Sequence, residues 1–145
     1  MRKNISILIV LAVLVYGFIN EQGGSITGVS SWTPGTDNSV QNAYDKQLSD
    51  LQVQGEGIVS KVLSDDLEGS RHQRFILKLN NGPSLLVAHN IDLAPRINGL
   101  KAGDTVEFHG EYEWNSKGGV IHWTHDDPAG RHADGWLKHQ GQTYQ

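Results

Sequence analysis

From Gln52 onward, short runs of alternating apolar and polar residues are separated by clusters of Gly, Asn, Asp, Ser and Pro, and this alternation narrows the possible folds more than any other feature. Side chains of a strand point to opposite faces in turn, so a period of two marks half-buried strands, and the turn clusters space them for antiparallel pairing. Five main strands are predicted, at 53–63, 71–79, 84–91, 105–114 and 119–124, with a last short hairpin, 136–138 and 143–144, around the sequence HQGQ. The turn chemistry is SDDLEGS after the first strand, Asn80 to Pro83 after the second, and Asn115 to Gly118 between the fourth and fifth. A longer connection, 92–103, holds Pro95 and the turn LKAGD. Five strands with a connection between the third and fourth fit the small Greek-key barrel known as the OB-fold. A β-sandwich, which usually needs about seven strands, is the alternative.

Upstream of the barrel the pattern changes. Val40, Ala43, Tyr44, Leu48 and Leu51 recur at helical spacing behind Asn38 or Ser39 as a cap, which predicts one short N-terminal helix over 39–51. Residues 21–38 are rich in Gly, Ser and Thr without apolar period and read as a flexible linker. Arg2 and Lys3 precede the uncharged apolar run Ile5–Ile19, the pattern of a secretory signal over residues 1–20. That run is 15 residues long, whereas a spanning helix needs roughly 20. The expected location is therefore exported, periplasmic or secreted, without stable membrane association once the signal is cleaved. No clear A-x-A cleavage site precedes the polar Asn20 to Gln22, so retention as an inner-membrane tether is the alternative. The chain has no cysteine, which excludes disulfides, lipoprotein processing and thiolate metal sites; any metal must be held by nitrogen and oxygen.

The segments GSRHQRF (69–75), LVAHNIDLAPR (86–96), GEYEWN (110–115) and GGVIHWTHDDPAGRH (118–132), with the closing GW and Tyr144, resemble the secreted bacterial family known as domain of unknown function 3465. The similarity covers about 52–145. It implies a small exported β-barrel-like domain and brings no catalytic assignment, so the site has to be argued from the residues.

Charge bears first on partners. Without Arg2 and Lys3 the chain carries ten cationic and sixteen acidic side chains, a balance of minus six that opposes nonspecific binding to nucleic acid. The distribution is uneven. Between 71 and 101, Arg71, Arg74, Lys78, Arg96 and Lys101 outnumber Asp92, whereas 104–134 holds seven acids against Lys117 and Arg131. A basic wall of this kind can hold a phosphate or carboxylate; the alternative is that the two charged faces neutralise each other.

All seven histidines lie in the last 74 residues. Parity places Glu107, His109, Glu111 and Glu113 on one face of the fourth strand and Val106, Phe108, Tyr112 and Trp114 on the other, the latter with Phe75 in core or end-capping roles. A four-residue loop at 115–118 then sets Glu111 opposite His122 and His109 opposite Thr124, gathering His109, Glu111 and His122 in one patch. In HWTHDDPAGRH, a strand end near Thr124 would let His125, Asp126, Asp127 and His132 converge on a divalent metal, or else stabilise the turn by hydrogen bonds. His139, beside a glycine turn, is expected to be solvated.

The predicted catalytic set is His72, His109, Glu111 and His122, with imidazole as acid or base and Glu111 as its orienter. The predicted ligand contacts are Arg71, Arg74, His89, Arg96, Trp123 and Arg131, for a nucleic acid or another anionic ligand; Trp136 shares with Trp123 the potential to stack on it. These residues read as an exported nuclease-like phosphodiester hydrolase. The alternatives are a noncatalytic envelope module binding an oligonucleotide, oligosaccharide or peptide, and a structural envelope protein. No P-loop, dinucleotide fingerprint or nucleophile elbow is present.

Overall fold

A computed structural model describes residues 39–145 apart from Asn81; the expected signal and linker lie outside the described residues. One short helix, α1 (Ser39–Asp45), precedes β1 (Leu51–Val62), β2 (His72–Leu79), β3 (Ser84–Asn90), β4 (Thr105–Glu113), β5 (Val120–His122), β6 (Trp136–His139) and β7 (Gln142–Tyr144). The barrel closes in the order β1-β2-β3-β5-β4-β1, with β3 and β5 parallel and every other pair antiparallel. That is the five-stranded OB arrangement, with β6 and β7 as two additional strands. Closure depends on β1, the longest strand. Leu51–Ile58 pair with β4 and Gly57–Val62 with β2, so Gly57 and Ile58 are paired on both sides, and the β2 ladder then shifts register between Val59 and Lys61.

Alternation decides what is inside. Phe75, Leu77, Leu85, Val87, Val106, Phe108, Tyr112, Ile121 and Leu137 are wholly buried, and His72, Arg74 and Ile76 take the outer face of β2. Gln73 shares the inward parity of Phe75. Its amide donates to the Ile97 carbonyl (2.9 Å) and accepts the Ile97 N–H (2.9 Å), so the β3–β4 connection is tied to the barrel by a buried group bonded through both its nitrogen and its oxygen.

The helix is shorter than periodicity predicts. It ends at Asp45, and Gln47 (φ 54°) and Asp50 (φ 59°) turn the chain into β1. Val40 and Ala43 join the core, and the Trp114 indole donates to the Tyr44 carbonyl while stacking on the Tyr44 ring. None of the helices among the described residues is long and apolar enough to cross a membrane.

The fifth strand departs most from expectation. Only Val120–His122 form β5, on Glu111–Glu113 of β4. The chain leaves the sheet at Trp123 and returns at Gly135, and β6 continues along the same edge of β4, on Val106–His109. The thirteen residues 123–135 are thus an excursion spliced into one strand. Its neck is narrow: the Gly135 N–H donates to the His125 carbonyl (3.0 Å), and a Cβ at 135 would lie 2.0 Å from the Trp123 carbonyl oxygen. Beyond β6, Gln140 and Gly141, both left-handed, turn the chain into β7. His139 is not solvated. It has the inward parity of Leu137, is 4% exposed, and its Nε2 lies 2.9 Å from Asp104 Oδ2.

Candidate functional site

Parallel pairing of β3 and β5 carries both strands toward the same end, where β2 begins. A cleft of about 160 Å³ opens there, lined by Ser70, His72, Asn90, Leu93, His122, Trp123 and His125. Two of its imidazoles are fixed by main-chain carbonyls. His72 Nδ1 lies 2.8 Å from the Ser70 oxygen and His125 Nδ1 2.7 Å from the Asp126 oxygen. A carbonyl only accepts, so Nδ1 carries the hydrogen in each ring and Nε2 is the basic nitrogen of the neutral form.

His122, which lines the cleft, also belongs to a cluster of imidazoles and carboxylates. The register sets Glu111 opposite His122, as parity predicts. His122 Nε2 stands 3.6 Å from Glu111 Oε2 and 3.5 Å from Glu113 Oε1, and it is a buried atom without a hydrogen-bond partner. From the excursion, His132 brings its Nε2 to 2.8 Å from the same Glu111 Oε2, while its Nδ1 donates to the Ala133 carbonyl (2.8 Å). Both nitrogens face acceptors. Burial works against the charged ring, but the Ala133 carbonyl, Glu111 and Asp127 together hold the His132 pKa above its ordinary value. Trp123 stacks almost flat on His132, with centroids 4.0 Å apart and planes at 10°. Desolvation, and then the neighbouring Asp50 carboxyl, raise the Glu113 pKa.

Other predicted residues are placed elsewhere. His109 is opposed by Trp136 rather than Thr124, because the excursion removes 123–135 from the register; it contacts Trp136 and Gln52 and does not line the cleft. His89 is corrected from ligand contact to core residue. Its parity matches Leu85 and Val87, it is wholly buried, and its two nitrogens are engaged by the Thr124 hydroxyl (2.7 Å) and the Pro95 carbonyl (2.9 Å). Arg71 pairs with Asp92, Arg74 donates to the Ser64 carbonyl, and Arg96 makes a two-point pair with Asp65. These three guanidinium groups brace loops, and none of their partners comes from the acidic stretch 104–134, so they do not join the two charged faces. Arg131 stays exposed in the excursion.

The predicted metal set does not converge. Asp127 accepts the main-chain N–H groups of Ala129, Arg131 and His132, the turn-stabilising alternative. Asp126 is exposed, His125 borders the cleft and His132 turns to Glu111. Among the described residues, the group with ligand atoms mutually within 4.8 Å is instead Glu111, Glu113 and His122. Glu113, Ser70, Asn90 and Leu93 were not predicted. For Glu113 the signal was available, since it shares the outward parity of Glu111.

The fold and site define a class: a small OB-type barrel with a histidine-lined cleft at one end, one of whose histidines meets two carboxylates. The chain belongs to the family described as protein of unknown function (DUF3465), whose model matches residues 25–145. The match extends upstream of Gln52, over the helix and part of the region before it. No curated protein and no solved structure matches the chain.

Proposed function

We propose that the protein is an exported phosphodiester hydrolase in which His72 and His125 work as an acid–base pair. The observation that carries this reading is that both rings border one cleft with Nδ1 committed to a main-chain carbonyl, His125 at 3% exposure, so that Nε2 is the nitrogen of each ring left for proton transfer. One neutral imidazole takes a proton from the attacking water, whose oxygen forms the new bond to phosphorus. The other, protonated, gives its proton to the oxygen that leaves as the phosphorus–oxygen bond breaks. Asn90 accepts the Asp92 N–H on its side-chain oxygen (2.9 Å), which leaves its NH₂ as a donor for a phosphoryl oxygen. The small volume suits one phosphodiester group and its nearest atoms rather than a stacked base. Trp123 is already covered by His132, which argues against its use as a platform for bases.

A noncatalytic binding module is the second reading. It is favoured by the cleft's border on the first residue of β2 and the last of β3, at the edge of the face through which OB barrels bind oligonucleotides and oligosaccharides. Labelled single- and double-stranded DNA and RNA, and bis(p-nitrophenyl) phosphate, separate the two. The hydrolase reading expects cleavage by the wild type, reduced on the order of 10²- to 10⁴-fold in His72→Ala and in His125→Ala. Retention of intact strands without cleavage selects the binding module, and intact substrates without retention reject both.

A further inference from the structure

The geometry points to a divalent-cation site formed by Glu111, Glu113 and His122, of first-row transition-metal type with Zn²⁺ as the best fit, and with His132 orienting Glu111 from outside. This inference goes beyond the hydrolase reading and does not rest on it.

Distance is the first argument. An ion with bonds of about 2.0–2.1 Å in tetrahedral geometry holds its ligand atoms roughly 3.4 Å apart. His122 Nε2 stands 3.6 Å from one carboxylate oxygen and 3.5 Å from the other. These separations exceed a good hydrogen bond and match two edges of such a tetrahedron.

The second argument is the state of His122 Nε2. The atom is shielded from solvent although the His122 side chain is 35% exposed, and it meets both carboxylates beyond a good hydrogen-bond distance, whereas a shielded ring nitrogen facing two carboxylates would ordinarily be drawn into a short bond with one of them. Coordination satisfies this atom without moving either acid. The third argument is charge. Asp50 adds a third carboxyl beside Glu113, and among the described residues the cationic side chains within ion-pair distance of Glu111 and Glu113 are histidines, His122 and His132, with no Lys or Arg. A dication supplies the missing positive charge. The hydrogen bond from His132 to Glu111 Oε2 (2.8 Å) is the support that ligating carboxylates commonly receive.

One nitrogen and two oxygens leave a fourth position for water, and the mixed donor set favours Zn²⁺ over Mg²⁺, which prefers oxygen ligands throughout. The test uses the mature protein stripped with chelator and titrated with Zn²⁺ by calorimetry, with bound metal counted by elemental analysis. One equivalent is expected to bind the wild type and His109→Gln, with affinity reduced at least about tenfold in Glu113→Gln and in His122→Gln. The ¹⁵N resonance of His122 Nε2 in the wild type, followed during the titration, keeps the question decidable if a variant fails to fold; it is expected to shift as the metal binds. Absence of Zn²⁺ binding, equal binding by folded Glu113→Gln and His122→Gln, or an unmoved His122 resonance overturns the site. Binding without phosphodiester cleavage leaves this inference standing and removes only the hydrolase.

Discussion

Mild acid is expected to remove about 3 kcal/mol of stability through one buried ring, His89. Burial is the main cause of its lowered pKa; the Pro95 carbonyl partly opposes the shift, and the charges of His125 and His72 add to it, leaving a value of about 4 against 6.5 for a free imidazole. Between those two values the unfolded chain takes up a proton that the folded ring refuses. Stability is therefore complete above pH 6.5, falls as the pH drops toward 4, and levels off below that. At about 1.4 kcal/mol per pKa unit, a gap of about 2.5 units amounts to about 3 kcal/mol, a large share of the 5–15 kcal/mol that holds a typical domain folded. Urea unfolding of the wild type and of His89→Gln at about pH 7 and about pH 4 measures the effect directly. Glutamine can donate to Pro95 and accept from Thr124 without titrating, and the other ionisable groups fall equally on both proteins. The variant is expected to start less stable and to lose most of the difference on acidification. Parallel losses in the two proteins would refute the assignment of this pH dependence to His89.

Gly119→Ala should cost at least about 2 kcal/mol, read as a lowered melting temperature, because φ is 102° and a Cβ would meet the Tyr112 ring at 2.3 Å. Asp127→Ala should leave the barrel's circular dichroism intact while proteolysis within the excursion accelerates, since three main-chain N–H groups lose their common acceptor. The same N–H groups hold the Asp127 carboxyl below its usual range, so this ordering should be present at neutral pH and fade as the pH falls through that lowered value.

Much of the barrel was legible because a period of two specifies both a strand and its faces. The loop at 115–118 gave the pairing of Glu111 with His122 without any tertiary information. The excursion was not legible in the same way. Trp123 and Thr124 continue the alternation of β5, and the departure at Trp123 is set by contacts distant in sequence: Thr124 turning inward to His89, and the Gly135 N–H closing the neck on His125. His109 was misassigned for that reason. His89 and His139 failed differently, since their inward parity with Val87 and Leu137 was readable but imidazole was read as a surface group. Arg74 falls on β2 and Arg96 on the connection as expected, whereas Arg71 lies just before β2; their partners Asp92, Ser64 and Asp65 are brought to them only by the folded connections.

The interruption of one strand by residues 123–135 also separates scaffold from specificity. Because the two stubs, β5 and β6, are each hydrogen-bonded to β4 on their own, the framework does not depend on the insert, which is left to carry His125 to the cleft and His132 to Glu111. Exposed positions of the insert such as Arg131 could then be altered by an engineer without rebuilding the barrel.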